Sequence, residues 1–280
     1  MDNTTFNAEI TALKQEYLSL LDKEEKEQVY QKFLENNTRL IPRDHVLNHG
    51  ISCNIVLRKL SYASDFKSDF FFLSKSSVNW HAVHIEIEKP SSKYFKGNSC
   101  EFHKDFLHAQ QQINDWRAWL LRNNGAAFRN SVLPLMVPQH MASNPIIHKY
   151  ILVYGRRAEN EGNSMRQSLI ASLVQNHDVS IMSFDSLAEE LAGKPPVNIG
   201  VRKNAYIDVM GDELFRHEAC GWIEPTLFRL SEAARNKLLN MDGVGPHINR
   251  LVGTKHVDAY KYVGEHVRVR SEKQVIATDK

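Results

Sequence analysis

Cysteine is scarce in this chain. Its 280 residues include three, Cys53, Cys100 and Cys220, an odd number with no Cys-x-x-Cys pair. That excludes a disulfide framework and a zinc ribbon. The thirteen histidines show no Cys/His zinc spacing, so no metal role is assigned to them. No segment approaches the roughly 20 consecutive apolar residues that a membrane helix needs. The N-terminus, Met1-Asp2-Asn3-Thr4-Thr5, lacks the basic-then-apolar order of a signal peptide, so a cytoplasmic location away from membranes is expected. An excess of one charge is also missing. Lys plus Arg number 35 against 33 Asp plus Glu, so any nucleic-acid face must be local. What remains is an ordinary globular composition, 42% apolar and 24% charged, long enough for one large core or two modest ones.

Residues 7–36 read as helical. Leu13, Tyr17, Leu20 and Leu21 recur at 3–4 spacing, as do Val29, Phe33 and Leu34, with charged Asp22 to Glu27 between them. Three strands follow, at Ile51–Leu60, Asp69–Leu73 and Trp80–Glu88, joined by gaps short enough for an antiparallel meander. The third alternates Val83, Ile85 and Ile87 with His84, Glu86 and Glu88 until Pro90. A helix is predicted over Lys104–Asn123, with Asn123-Asn124-Gly125 as its stop. Beyond it come a strand at Tyr150–Gly155, a helix at Ser164–Gln175, a strand at Val179–Phe184 and a helix at Ser186–Leu191. This order predicts an α/β mixed sheet flanked by helices. Gly193-Lys194-Pro195-Pro196 reads as a linker to a small appended region, with a strand at Ala205–Met210 and a helix at Ser231–Asn240. The expected organisation is a helical region at 1–44, a core at 45–192 and a C-terminal region at 197–280.

The chemistry concentrates between Ser68 and Glu88. Taken alone, Glu86 and Glu88 are the wet face of a half-buried strand, and Asp69 is turn punctuation. Together, adjacent strands bring Asp69 and Glu86 into one site if their registers match. Converging carboxylates repel one another, and a divalent ion reconciles them. Lys89 or Lys93 adds positive charge near that strand end. Gln112 lies four residues before Trp116, so the two are neighbours on a helix whose amide can reach the sheet. Arg156, Arg157, Arg166, Arg268 and Arg270 are candidate phosphate contacts, each explained equally well as a solvated base. Leu238 to Pro246, with Gly243-Val244-Gly245, has the form of a helix-hairpin-helix turn, though an ordinary helix-to-helix turn accounts for it too.

Gln31-Lys32-Phe33-Leu34-Glu35-Asn36-Asn37, Ser68-Asp69-Phe70, Glu86-Ile87-Glu88-Lys89-Pro90 and Gln112-x-x-x-Trp116 occur in an order that resembles the Shedu anti-phage nuclease family. Tyr150–Arg157 and Val179–Leu187 resemble its second half, and the likeness covers roughly residues 24–192. That family belongs to the PD-(D/E)XK nuclease superfamily, so the resemblance implies a restriction-endonuclease-like fold. It implies Asp69 and Glu86 as ligands of Mg²⁺, with Mn²⁺ as a substitute, the carbonyl of Ile87 as a third ligand, and Gln112 as the helix glutamine. Glu27 matches the acidic residue of the first helix loosely. The superfamily carries lysine two positions after the glutamate. Here that position is Glu88, which becomes a base or an additional ligand, and Lys89 is displaced to the other strand face.

The expected function is therefore a Mg²⁺-dependent DNA endonuclease of bacterial defence against phage, working as a homo-oligomer, dimer or tetramer. The rival is a catalytically degenerate nuclease-fold protein that senses or binds nucleic acid. A third reading, a structural interaction protein, leaves the acidic strand face merely solvated.

Overall fold

In a computed structural model of the chain, residues 3–62, 66–122, 125–210 and 227–231 are described. Helix α1 covers Asn3–Leu21 and α2 covers Glu27–Asn36. The charged Asp22–Lys26 stretch separates them as an exposed turn rather than a helix face. Strands β1 (Ile55–Tyr62), β2 (Phe66–Lys75) and β3 (Trp80–Ile87) form the expected antiparallel meander. Helix α3 spans Lys104–Leu121. The predicted stop at Gly125 is instead the first residue of a further helix, α4, at Gly125–Val132. After α4 come β4 (Ile146–Val153), α5 (Ser164–Leu173), β5 (Val179–Met182) and α6 (Phe184–Leu187).

The chain then returns to the sheet. β6 (Asn198–Arg202) pairs parallel with β1, β7 (Ile207–Met210) pairs antiparallel with β6, and β8 (Phe228–Arg229) pairs parallel with β7. All eight strands form one mixed sheet in the order β5-β4-β3-β2-β1-β6-β7-β8. Residues 198–210, expected in an appended region, thus extend the core sheet. The Pro195-Pro196 break is a corner between α6 and β6. The helix expected at Ser231–Asn240 (save Ser231 itself), the Gly243-Val244-Gly245 turn, Arg268 and Arg270 lie outside the described residues.

Both faces of the sheet are covered. On one, Val83, Ile85 and Ile87 pack with Tyr17, Leu21, Tyr30 and Leu34 of α1 and α2 and with Phe184 and Leu187 of α6. On the other, Trp80, Ala82, Phe71 and Leu73 pack under Phe106, Ile113 and Trp116 of α3 and Phe128 of α4. The face of β3 that carries Glu86 is therefore not wet. His84 is fully buried and Glu86 is 7% exposed. Acidic side chains placed there must find partners or shift their protonation.

Candidate metal and catalytic site

The β2–β3 register brings the predicted acids together. Phe71 pairs with His84 and Phe70 with Ile85. One step further along, Asp69 stands opposite Glu86. Asp69 Oδ2 accepts the backbone N–H of Ile87 at 2.8 Å, which fixes the carboxylate at the end of β3. Gln112 comes over the sheet from α3, and its Nε2 donates to Glu86 Oε1 at 2.6 Å. Trp116, one turn further on, is buried and holds that face of the helix against the sheet.

Two residues join the group from outside the β2–β3 pair. Lys59 of β1 sets its ammonium against Asp69 Oδ1. Glu27, in the first turn of α2, feels the charges of Asp69, Lys59 and Lys89. Glu27 had only a loose match to recommend it. Lys59 had none, because nothing in the periodicity of Ile51–Leu60 marks it. Lys89 is exposed, and its charge registers on Glu27 and Glu88. Lys93 is exposed.

Crowded buried carboxylates hold their protons. Burial pushes the Glu86 carboxyl well above the usual range, and Asp69 and Glu88 add to the effect. Burial, then Glu27 and Asp69, raises Glu88 to about 7. Burial also raises Asp69, although Lys59 and the Ile87 N–H pull it back. Glu27 is raised by burial and by Asp69. A divalent cation would complement such a group.

The residues present fit a divalent ion. Glu86 Oε2 is buried with no hydrogen-bond partner, an orphaned acceptor beside a second buried carboxylate. Among the described residues no three His, Cys, Asp or Glu side chains are gathered tightly enough to cage an ion on their own. Mg²⁺ does not need such a cage, since it commonly takes one or two carboxylates and fills its octahedron with water and phosphate oxygens. Glu86 and Asp69 would hold it.

The arginines are otherwise employed. Arg156 pairs with Asp22 and Asp185, and Arg157 with Glu189. Arg166 is 7% exposed and donates to the carbonyls of Gly97, Ser99 and Glu159, so it braces a loop rather than meeting a phosphate. Cys100 is exposed and Cys53 is buried, and neither is in a disulfide. No helix among the described residues is long and apolar enough to cross a membrane.

A family model described as Shedu protein SduA, C-terminal, matches residues 24–188. That match covers more than half of the chain and runs from α2 through α6, including Asp69, Glu86, Glu88 and Gln112. No curated protein matches the chain.

Proposed function

This chain belongs to the Shedu family, and from that premise we propose that it is a metal-dependent DNA endonuclease of an anti-phage defence system. Family membership points to the defence role. The observation that carries the hydrolytic reading is the orphaned Glu86 Oε2 beside Asp69, with Gln112 steadying the other Glu86 oxygen.

When bound, Mg²⁺ or Mn²⁺ would acidify a water and neutralise charge on the phosphoryl oxygens. Asp69 and Glu86 would hold that ion, and the Ile87 carbonyl would be a candidate third ligand. Gln112 fixes the Glu86 carboxylate through its amide. Glu88, raised to about 7, is poised to take a proton from the attacking water near neutral pH. Lys89, at the same strand end, lowers the proton affinity of Glu88 and Glu27. DNA is the proposed substrate, and a two-fold oligomer would present two such sites to the two strands.

The test is cleavage of linear and circular DNA with Mg²⁺ or Mn²⁺ by wild type, Asp69→Ala and Glu86→Ala. Each substitution is expected to lower cleavage at least 100-fold. Cleavage that survives both sinks the site. A second reading, a nucleic-acid sensor without catalysis, is favoured by Glu88 standing at the lysine position. It predicts salt-sensitive DNA binding with no cleavage by any of the three proteins.

A further inference from the structure

Attack on a phosphodiester builds negative charge on the phosphoryl oxygens, and a site that hydrolyses it gains from a fixed positive group aimed there. Two residues after Glu86 stands Glu88, an acid. The fold brings a lysine in from another strand. Lys59, in the middle of β1, places its ammonium on Asp69. The side chain of Lys59 is 39% exposed and that of Asp69 is 4% exposed. The lysine side chain therefore links the buried acid to the solvent-exposed surface. Its charge also reaches Glu86 and Glu27.

The backbone supplies a second, independent observation. β1 pairs Arg58 with Phe70 and Leu60 with Ser68. Between those regular pairs Lys59 adopts φ +47°. A residue with a Cβ avoids this left-handed conformation, and a lysine serving only as a solvated strand residue has no use for it. Backbone held in such a state by regular neighbours gathers at functional sites. Lys89 is another cation whose charge registers on Glu27 and Glu88.

Building on the nuclease reading, we propose that Lys59 is the catalytic cation of this site, delivered by β1 in place of a lysine on β3. As substrate enters, the ammonium exchanges Asp69 for a non-bridging phosphate oxygen and donates to it, staying protonated throughout. The water oxygen bonds to phosphorus while its proton passes to Glu88. The bond from phosphorus to the leaving sugar oxygen breaks, and that oxygen takes a proton from solvent.

The test uses the full chain with plasmid DNA and Mn²⁺, comparing wild type, Lys59→Gln and Lys59→Gly. Glycine accepts positive φ freely, so Lys59→Gly removes the ammonium without straining the fold. Cleavage is expected to fall at least 100-fold in both single variants. Mn²⁺ affinity, measured by calorimetry, should hold or rise severalfold, because the ammonium no longer competes for Asp69. If wild type cleaves and Lys59→Gly stays within threefold of it or exceeds it, Lys59 is not the cation and the nuclease reading stands alone. If Lys59→Gly loses Mn²⁺ binding together with cleavage, Lys59 is a prop for Asp69 and the assignment falls. A wild type that cleaves nothing brings down the nuclease reading and this inference with it.

Discussion

The Glu86 carboxylate keeps one oxygen on Gln112 and leaves the other buried without a partner. Its neighbours Asp69 and Glu88 repel it further. In the absence of an ion, the residue best placed to bind metal is thus a burden on the fold. Glu86→Gln keeps the shape and an oxygen for Gln112 while removing the charge. That variant should unfold at higher temperature than the metal-free wild type, by about 1 kcal/mol of stability, and bind Mn²⁺ at least tenfold more weakly. A lower melting temperature for Glu86→Gln would show that the carboxylate is stabilising as it stands. Asp69, Glu86 and Gln112 were readable because strand alternation, adjacent strands and helical spacing are local patterns. Lys59 was not. Its place on Asp69 depends on a register between β1 and β2 and on one left-handed residue, and neither leaves a periodic trace.

Among the elements, β3 shows how burial turns a familiar pattern into a different object. Alternating apolar and polar residues normally mark a strand with one wet face. Here α3 and α4 cover the second face, and His84 and Glu86 are buried there. The segment after β3 is held as tightly. Arg166 donates to the carbonyls of Gly97, Ser99 and Glu159, and the Glu159 carboxylate accepts the N–H groups of Tyr94 and Phe95 at 3.1 and 2.9 Å. Gly155 closes the assembly. Its φ is +57°, its N–H donates to the Lys89 carbonyl at 3.3 Å, and a Cβ there would lie 2.8 Å from both the Ser92 carbonyl oxygen and the Tyr94 ring. Gly155→Ala should therefore cost about 2 kcal/mol in urea unfolding, from backbone strain and the clash together. An unchanged midpoint would mean that the Lys89–Tyr94 segment yields freely. The pairing of β6 with β1 was not readable from the linker-like Pro195-Pro196. Proline and glycine mark where a chain bends, and carry no information on which distant strand it rejoins.

At the scale of the molecule, one sheet buries two groups of titratable side chains with opposite preferences. The carboxylates around Glu86 hold protons more tightly in the folded state, so their part of the stability weakens as pH rises, for Glu88 through about 7. The imidazoles run the other way. His84 Nε2 and His148 Nδ1 lie 2.9 Å apart under Phe128, with Tyr150 stacked on His84. Burial lowers His148 from 6.5 to about 4 and His84 well below its usual value. Between those limits the unfolded chain takes up a proton that the folded chain refuses. The histidine contribution is therefore complete above about pH 6.5 and is lost as pH falls toward about 4. A bare pH profile mixes the two slopes, and comparison with His148→Gln separates them because the carboxylates are common to both proteins. Wild type should lose about 2 kcal/mol relative to that variant between pH 7 and about pH 4.5, read from denaturant melts at both pH values. If the gap between the two proteins is the same at each pH, His148 titrates alike in the folded and unfolded chains and is not part of the acid sensitivity of this fold.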